Sequence, residues 1–290
     1  MAANAYGALL DAVRGVHWLA RHAVASAAAG SHHSTHRGSS AEFTEYRLYR
    51  QGDDPRRLDW RLLARSDRAY IRLATDRSVL PTTIVLDASA SMAFPVATHD
   101  KWRVAREIAV GLAAVVHGDG DPVGVAVHLP ATRLRVLPPR TRRGVVAEIA
   151  RVVGQAEPDD APPLAPVVSA LRTPRIAIIT DLLGDADALL RAARVHVVAN
   201  GEVHLIHVVA REEIEPPRRA MLAADPEDPA IHRMLAEATR AGYERAFAEW
   251  RAEMARVWRS SGASYVEVVT DEPAPHAVRR IARAGAVERA

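Results

Sequence analysis

From Pro81 onward, short runs rich in Val, Ile and Leu alternate with longer stretches of helical period. The runs Thr82–Leu86, Val123–His128, Arg133–Leu137, Ile176–Thr180, Val203–Val209 and Tyr265–Val269 read as strands. Among them, Trp102–His117, Arg143–Val153, Leu164–Leu171, Ala186–Ala199, Ile231–Ser261 and His276–Arg283 read as helices. Near-continuous apolar strands are those buried on both faces, and their alternation with helices calls for a parallel sheet covered on both sides. The expected fold class is therefore α/β, a doubly wound mainly parallel sheet with helices on both faces. One segment breaks the alternation. Glu212–Pro229, with Pro216, Pro217, Pro226 and Pro229, reads as a Pro-rich insertion near 212–230.

Upstream of Pro81 the sequence changes character twice. Over Ala3–Ala29, residues such as Leu9, Val13, Val16, Ala20 and Val24 recur at the spacing of one amphipathic helix, which Gly30 ends. A Ser/His loop follows to Ser40; His32, His33 and His36 have no carboxylate at fixed spacing and read as solvated. Between Glu42 and Arg77, arginines and carboxylates interleave around Tyr46, Tyr49, Trp60 and Tyr70. An arm that binds nucleic acid carries one sign of charge, whereas a mixed stretch predicts Arg–carboxylate pairs packed against a neighbour. This reading buries Trp60 and puts Asp53, Arg56 and Asp59 in ion pairs. The expected division is residues 1–40 as N-terminal helix and loop, 41–78 as a charged segment docked on the core, and 79–290 as the α/β domain.

Composition removes several function classes. The 290 residues contain no cysteine, so disulfides, thiolate metal sites and cysteine nucleophiles are excluded, and a metal would sit on oxygen or imidazole. Lys+Arg number 38 against 35 Asp+Glu, and Lys101 is the one lysine. That arginine bias reads as codon usage, so no nucleic-acid partner is expected. The sequence has no apolar window of about 18 residues, so membrane insertion is not expected. Met1–Leu10 lacks a positive charge ahead of an apolar stretch, which argues against a secretory leader and for a cytoplasmic protein. Gly118, Gly120 and Gly124 follow a helix at the wrong spacing for a dinucleotide loop, and no G-x-x-x-x-G-K-[ST] occurs; no nucleotide is expected on this chain.

In an open α/β sheet, ligands bind beyond the carboxyl ends of the strands. The first strand of the alternating region runs directly into Asp87-Ala88-Ser89-Ala90-Ser91-Met92. A carboxylate and two hydroxyls at alternate positions of a tight turn can face one point and offer hard oxygens suited to magnesium. The run Ile176–Thr180 ends in Asp181, and a neighbouring strand end would bring this carboxylate to the same point. Taken alone, Asp181 reads equally as a turn or capping aspartate.

The pattern Asp87, Ser89, Ser91 and Asp181 resembles the metal-ion-dependent adhesion site of von Willebrand factor type A domains. Upstream, Arg47, Tyr49, Gly52, Asp53, Asp54, Arg56, Asp59, Trp60 and Arg65 resemble the signature of the "domain of unknown function 58" family. This resemblance runs from about Gly30 to the end of the chain. It implies a von Willebrand factor type A-like domain that works with a MoxR-type AAA+ ATPase or its client protein, as a non-enzymatic adaptor. In that family a loop threonine completes the metal site, and here Pro162 stands about where it would be, offering neither a hydroxyl nor a backbone N–H. Asp159 and Asp160, from the same loop, are the substitute ligands; Asp160 reads equally as a helix cap. Mg2+, with Mn2+ as substitute, is the expected cofactor. The alternative is a metal-assisted hydrolase acting on a phosphoester, with Asp159, Asp160 or Asp185 as general base. Arg133, Arg135, Arg140, Arg142, Arg143 and Arg151 form the most one-signed stretch and read as a contact for an acidic partner or as a solvated rim.

Overall fold

The computed structural model describes residues 6–21, 29–33, 43–50, 53, 55, 58–66, 68–74, 77–130, 133–159, 161–217, 221–224, 232–235 and 237–284. The chain divides into two compact units, residues 1–18 with 81–290 and residues 19–80. It opens with α1 (Gly7–Ala12), which belongs to the larger unit. The helix expected up to Ala29 stops there. Gly15 turns the chain at φ +74, and Trp18, fully buried, donates its backbone N–H to Asp119 at 2.8 Å. The Arg175 guanidinium lies 4.7 Å from the Trp18 ring centroid. Burying that indole outweighs the helical period of the segment, a tertiary override of local pattern.

In the smaller unit, β1 (Ala29–His33) pairs antiparallel with β4 (Arg77–Ser78), and β2 (Phe43–Leu48) pairs antiparallel with β3 (Tyr70–Ala74). Between β2 and β3 lies α2 (Trp60–Ser66). Asp59 caps it, accepting from the backbone N–H groups of Arg61 and Leu62 at 3.0 Å each, while Tyr46 donates to its other oxygen at 2.9 Å. Asp53 pairs with Arg47 at 2.7 Å, as the interleaved charges suggest. Trp60 differs from expectation and is 64% exposed. The Asp59 cap fixes it as the first residue of α2, and Ile71, on β3, is the buried apolar side chain nearby in sequence. Gly52, Asp54, Arg56 and Asp160 lie outside the described residues.

The larger unit continues with β5 (Thr82–Leu86), α3 (Asp100–Gly118), β6 (Val123–Leu129), β7 (Arg133–Arg140), α4 (Val145–Val153) and α5 (Leu164–Ala170). Then come β8 (Arg175–Thr180), α6 (Ala186–Val198), β9 (Glu202–Val209), α7 (Arg211–Ile214), β10 (Met221–Ala224) and β11 (His232–Leu235). The chain ends with α8 (Glu237–Ser260), β12 (Ser264–Val269) and α9 (Ala274–Ala284). Six strands form one sheet in the order β12-β9-β8-β5-β6-β7, parallel throughout except for β7, which runs antiparallel to β6. This is a doubly wound, mainly parallel α/β sheet. Successive side chains of β5 point to opposite faces: Ile84 and Leu86 pack with α3, α4 and α9, and Val85 with α5, α6 and α8. Each such fully buried aliphatic side chain contributes about 1.5–3 kcal/mol.

Within the insertion, β10 and β11 form an antiparallel pair. The long helix accordingly begins at Glu237, not at Ile231, because His232–Leu235 pair with Met221–Ala224. A short apolar run carries no periodicity that separates strand from helix. Among the described residues no helix is long and apolar enough to cross a membrane.

Candidate functional site

From β5 the chain crosses through α3 to β6 on one side of the sheet, and from β8 it crosses through α6 to β9 on the other. The two crossovers diverge, so the carboxyl ends of β5 and β8 bound a crevice at the topological switch point. Leu86 is in register with Ile179, and the Asp87 N–H donates to the Ile179 carbonyl at 2.9 Å. The sheet thus sets Asp87 beside Thr180 and Asp181, as the sequence pattern requires.

Asp87 accepts from the Ser89 backbone N–H at 2.9 Å and from the Thr180 hydroxyl at 2.5 Å. The hydroxyls of Ser89 and Ser91 are 3.1 Å apart. Asp87 and Ser89 line a cleft together with Pro162, Leu182 and Asp185. Burial, and then the Asp181 charge, push the Asp87 carboxyl up to about 6 against the hydrogen bonds from Thr180 and Ser89.

Asp181 is drawn the other way, into the protein. Its Oδ2 accepts from the Lys101 ammonium at 2.8 Å, and its Oδ1 accepts from the Leu183 N–H at 3.2 Å. Lys101 also contacts Glu213 at 2.6 Å and the Ser91 carbonyl at 3.4 Å, and its side chain is closed to solvent. Burial lowers the affinity of Lys101 for its proton, but Asp181 and Glu213 outweigh it and the group titrates above its ordinary value. Burial lifts Glu213 above the usual carboxylate range, opposed by Lys101. Below Asp181, His207 Nε2 lies 3.1 Å from the Asp181 carbonyl and Nδ1 2.6 Å from the Tyr265 hydroxyl. The carbonyl can only accept, so Nε2 carries the proton and Tyr265 donates to Nδ1. Burial pushes His207 down to about 4, which keeps it neutral.

The sequence-expected residues therefore divide. Asp87, Ser89, Ser91 and Asp181 converge, but only the first two face the cleft. Asp159 has an exposed side chain, and its backbone N–H binds the Ala88 carbonyl at 2.9 Å. Asp185 caps α6, accepting from the Ala188 N–H at 2.9 Å. Pro162 lines the cleft, and the hydroxyl bonded to Asp87 comes from Thr180. Sequence reasoning missed Thr180, Lys101, Glu213 and His207. The available signal was Lys101, the single lysine among 38 basic side chains. As a donor set for a dication, Asp87, Ser89 and Ser91 fit, and Asp181 does not in this arrangement, because an ammonium already neutralises it. Among the described residues no three acidic or imidazole groups form a metal cluster, so a cation here would depend on the serine hydroxyls.

Comparison with known proteins places the chain in a family. Uncharacterized proteins of Mycobacterium bovis and Mycobacterium tuberculosis are 32% identical to the chain over 258 residues, covering 83% of it and 78% of their own length. Among solved structures, the conserved hypothetical protein BatB from Bacteroides thetaiotaomicron aligns with 71% of this chain and 98% of its own, at 19% identity and a TM-score of 0.46. An aerotolerance-related membrane protein from Bacteroides fragilis aligns over the same shares at 15% identity and a TM-score of 0.48. The family model described as "Protein of unknown function DUF58" matches residues 45–253, and the chain belongs to that family.

Proposed function

We propose that the chain is a non-enzymatic protein-interaction module that receives its partner at the crevice beyond β5 and β8. The observation that carries this reading is one cleft at the switch point of the sheet lined by both polar Asp87 and Ser89 and apolar Pro162 and Leu182. On the family resemblance the domain is von Willebrand factor type A-like, and its partner is a MoxR-type AAA+ ATPase or a client of it. Asp87, Ser89 and Ser91 would hold Mg2+, or Mn2+ in its stead, with Asp159 and Asp160 as substitutes. A bound cation would supply an open coordination position for an acidic side chain of the partner. Support for a binding role over hydrolysis comes from the carboxylates themselves. Asp185, one of the candidate bases, is engaged as the cap of α6, and the second aspartate of the site, Asp181, holds Lys101.

The full-length chain, tagged and recovered from its host with nucleotide present, is expected to carry an AAA+ ATPase and to lose it on Asp87→Ala. Recovery without any AAA+ ATPase overturns the reading. Loss of the partner in EDTA marks the contact as cation-dependent, and retention marks it as direct.

A further inference from the structure

Lys101 breaks a local rule. It is the second residue of α3, where the helix dipole disfavours a cation, and it is buried where an unpaired ammonium would be costly. A placement of this kind persists when neighbouring groups compensate it. Here the compensation is complete: three N–H donors meet three acceptors, Asp181 at 2.8 Å, Glu213 at 2.6 Å and the Ser91 carbonyl at 3.4 Å. One of those acceptors, the Asp181 carboxylate, belongs to the expected metal site, and a second is the backbone carbonyl of another of its residues, Ser91. With Asp181 also accepting from Leu183, both of its oxygens are engaged.

We propose that Lys101 is the resident cation of the strand-end site. Its ammonium and a divalent ion are mutually exclusive partners of Asp181, and Glu213 keeps the ammonium when Asp181 is released. This rests on the reading that the strand-end oxygens can hold a dication. The charges agree with the exchange. Asp87, Asp181 and Glu213 bring three negative charges when ionised and Lys101 one positive, so the cluster balances with one dication added. A compact ammonium on a flexible stem can shift between adjacent carboxylates, which a forked guanidinium does less readily. Glu213 is anchored for that role, its other oxygen accepting from the Ala210 N–H at 2.7 Å. It stands on α7, the element that leads into the β10–β11 insertion, so exchange at Asp181 changes the pull on that segment.

The test is Mn2+ titration of the full chain, read by calorimetry and by the EPR signal of free Mn2+, for wild type and for Lys101→Met/Glu213→Gln. The double variant removes one charge of each sign, so the net charge of the cluster is unchanged and Asp181 is freed. At least tenfold tighter Mn2+ binding is expected, and the gain should vanish when Asp181→Asn is added. Equal or weaker binding in the double variant overturns the proposal. If wild type binds no Mn2+ and the double variant does, the proposal stands while cation-bridged partner capture by the native chain falls. If wild type binds tightly and the double variant gains nothing, the reverse holds, and if neither binds, both fall. Should the double variant fail to fold, Glu213→Gln alone carries the test with opposite sign. It leaves Asp181 as the only carboxylate on Lys101, so Mn2+ binding should weaken at least threefold relative to Glu215→Gln, an exposed control for the lost charge. No difference from that control overturns the proposal.

Discussion

The ammonium of Lys101 lies 2.8 Å from Oδ2 of Asp181, with both side chains closed to solvent, and the two residues are 80 positions apart. This ion pair joins the start of α3 to the end of β8 directly beneath the candidate site. Removing one partner of a buried pair leaves the other charge uncompensated, which typically destabilises by about 3–5 kcal/mol. Lys101→Met should lower the unfolding free energy by about that amount in urea titrations, and adding Glu213→Gln should recover part of it. A loss no larger than that of an exposed charge would show that the pair does not hold the site together.

Two buried groups near the crevice should pull the pH dependence of stability in opposite directions. His207 titrates near 4, below its value in an unfolded chain, so its contribution is present at neutral pH and lost as pH falls towards 4. Asp87 titrates near 6, above its unfolded value, so the fold is penalised as pH rises from about 4 to 6. Relative to wild type, His207→Gln should gain about 2–3 kcal/mol on going from pH 6.5 to pH 4, and Asp87→Asn should lose about 2 kcal/mol over the same change. Denaturant midpoints at the two pH values check the signs.

Arginines of this chain should differ sharply in importance. Arg175 is fully buried, 3.0 Å from Glu202 and 3.0 Å from the Trp18 carbonyl, with the Trp18 ring beside it. Arg142 pairs with Glu148 at the surface. We expect Arg175→Ala to cost about 3–5 kcal/mol and Arg142→Ala less than about 1 kcal/mol. Tryptophan emission should shift to the red only in the first variant, because the Arg175 guanidinium lies against the Trp18 ring.

Gly124 lies in β6 where the register against β7 shifts. A Cβ there would come within 2.2 Å of the Leu137 carbonyl and 2.8 Å of the Pro139 nitrogen, both backbone atoms that cannot move aside like a flexible side-chain tip. Gly124→Ala should therefore cost about 1–3 kcal/mol, and amides of β7 should lose hydrogen-exchange protection before those of β5.

Much of the architecture was legible because it rests on local pattern. The run Thr82–Leu86 is buried along its whole length and forms the centre of the sheet, and the apolar runs of β6, β8, β9 and β12 flank it as the alternation with helices implies. The strand-to-loop passage at Asp87, Ser89 and Ser91 was visible for the same reason, since a β-branched run followed by small polar residues marks a strand end. The helix expected beyond Ala12 fails because amphipathic period says that a face is apolar, not what covers it, and the burial expected of Trp60 fails because interleaved charges predict ion pairs without saying which aromatic side chain they cover.

The sequence by itself determined that this chain forms a doubly wound sheet with oxygen-bearing residues at its strand ends. Tertiary structure alone decided how those residues are used. Thr180 became the hydroxyl partner of Asp87, Asp181 turned inward to Lys101, and Glu213 arrived from α7, just after β9. Periodicity and turn propensity act among near neighbours in the chain, whereas the pairing of buried charges depends on which strands lie side by side, and only the assembled sheet sets that order.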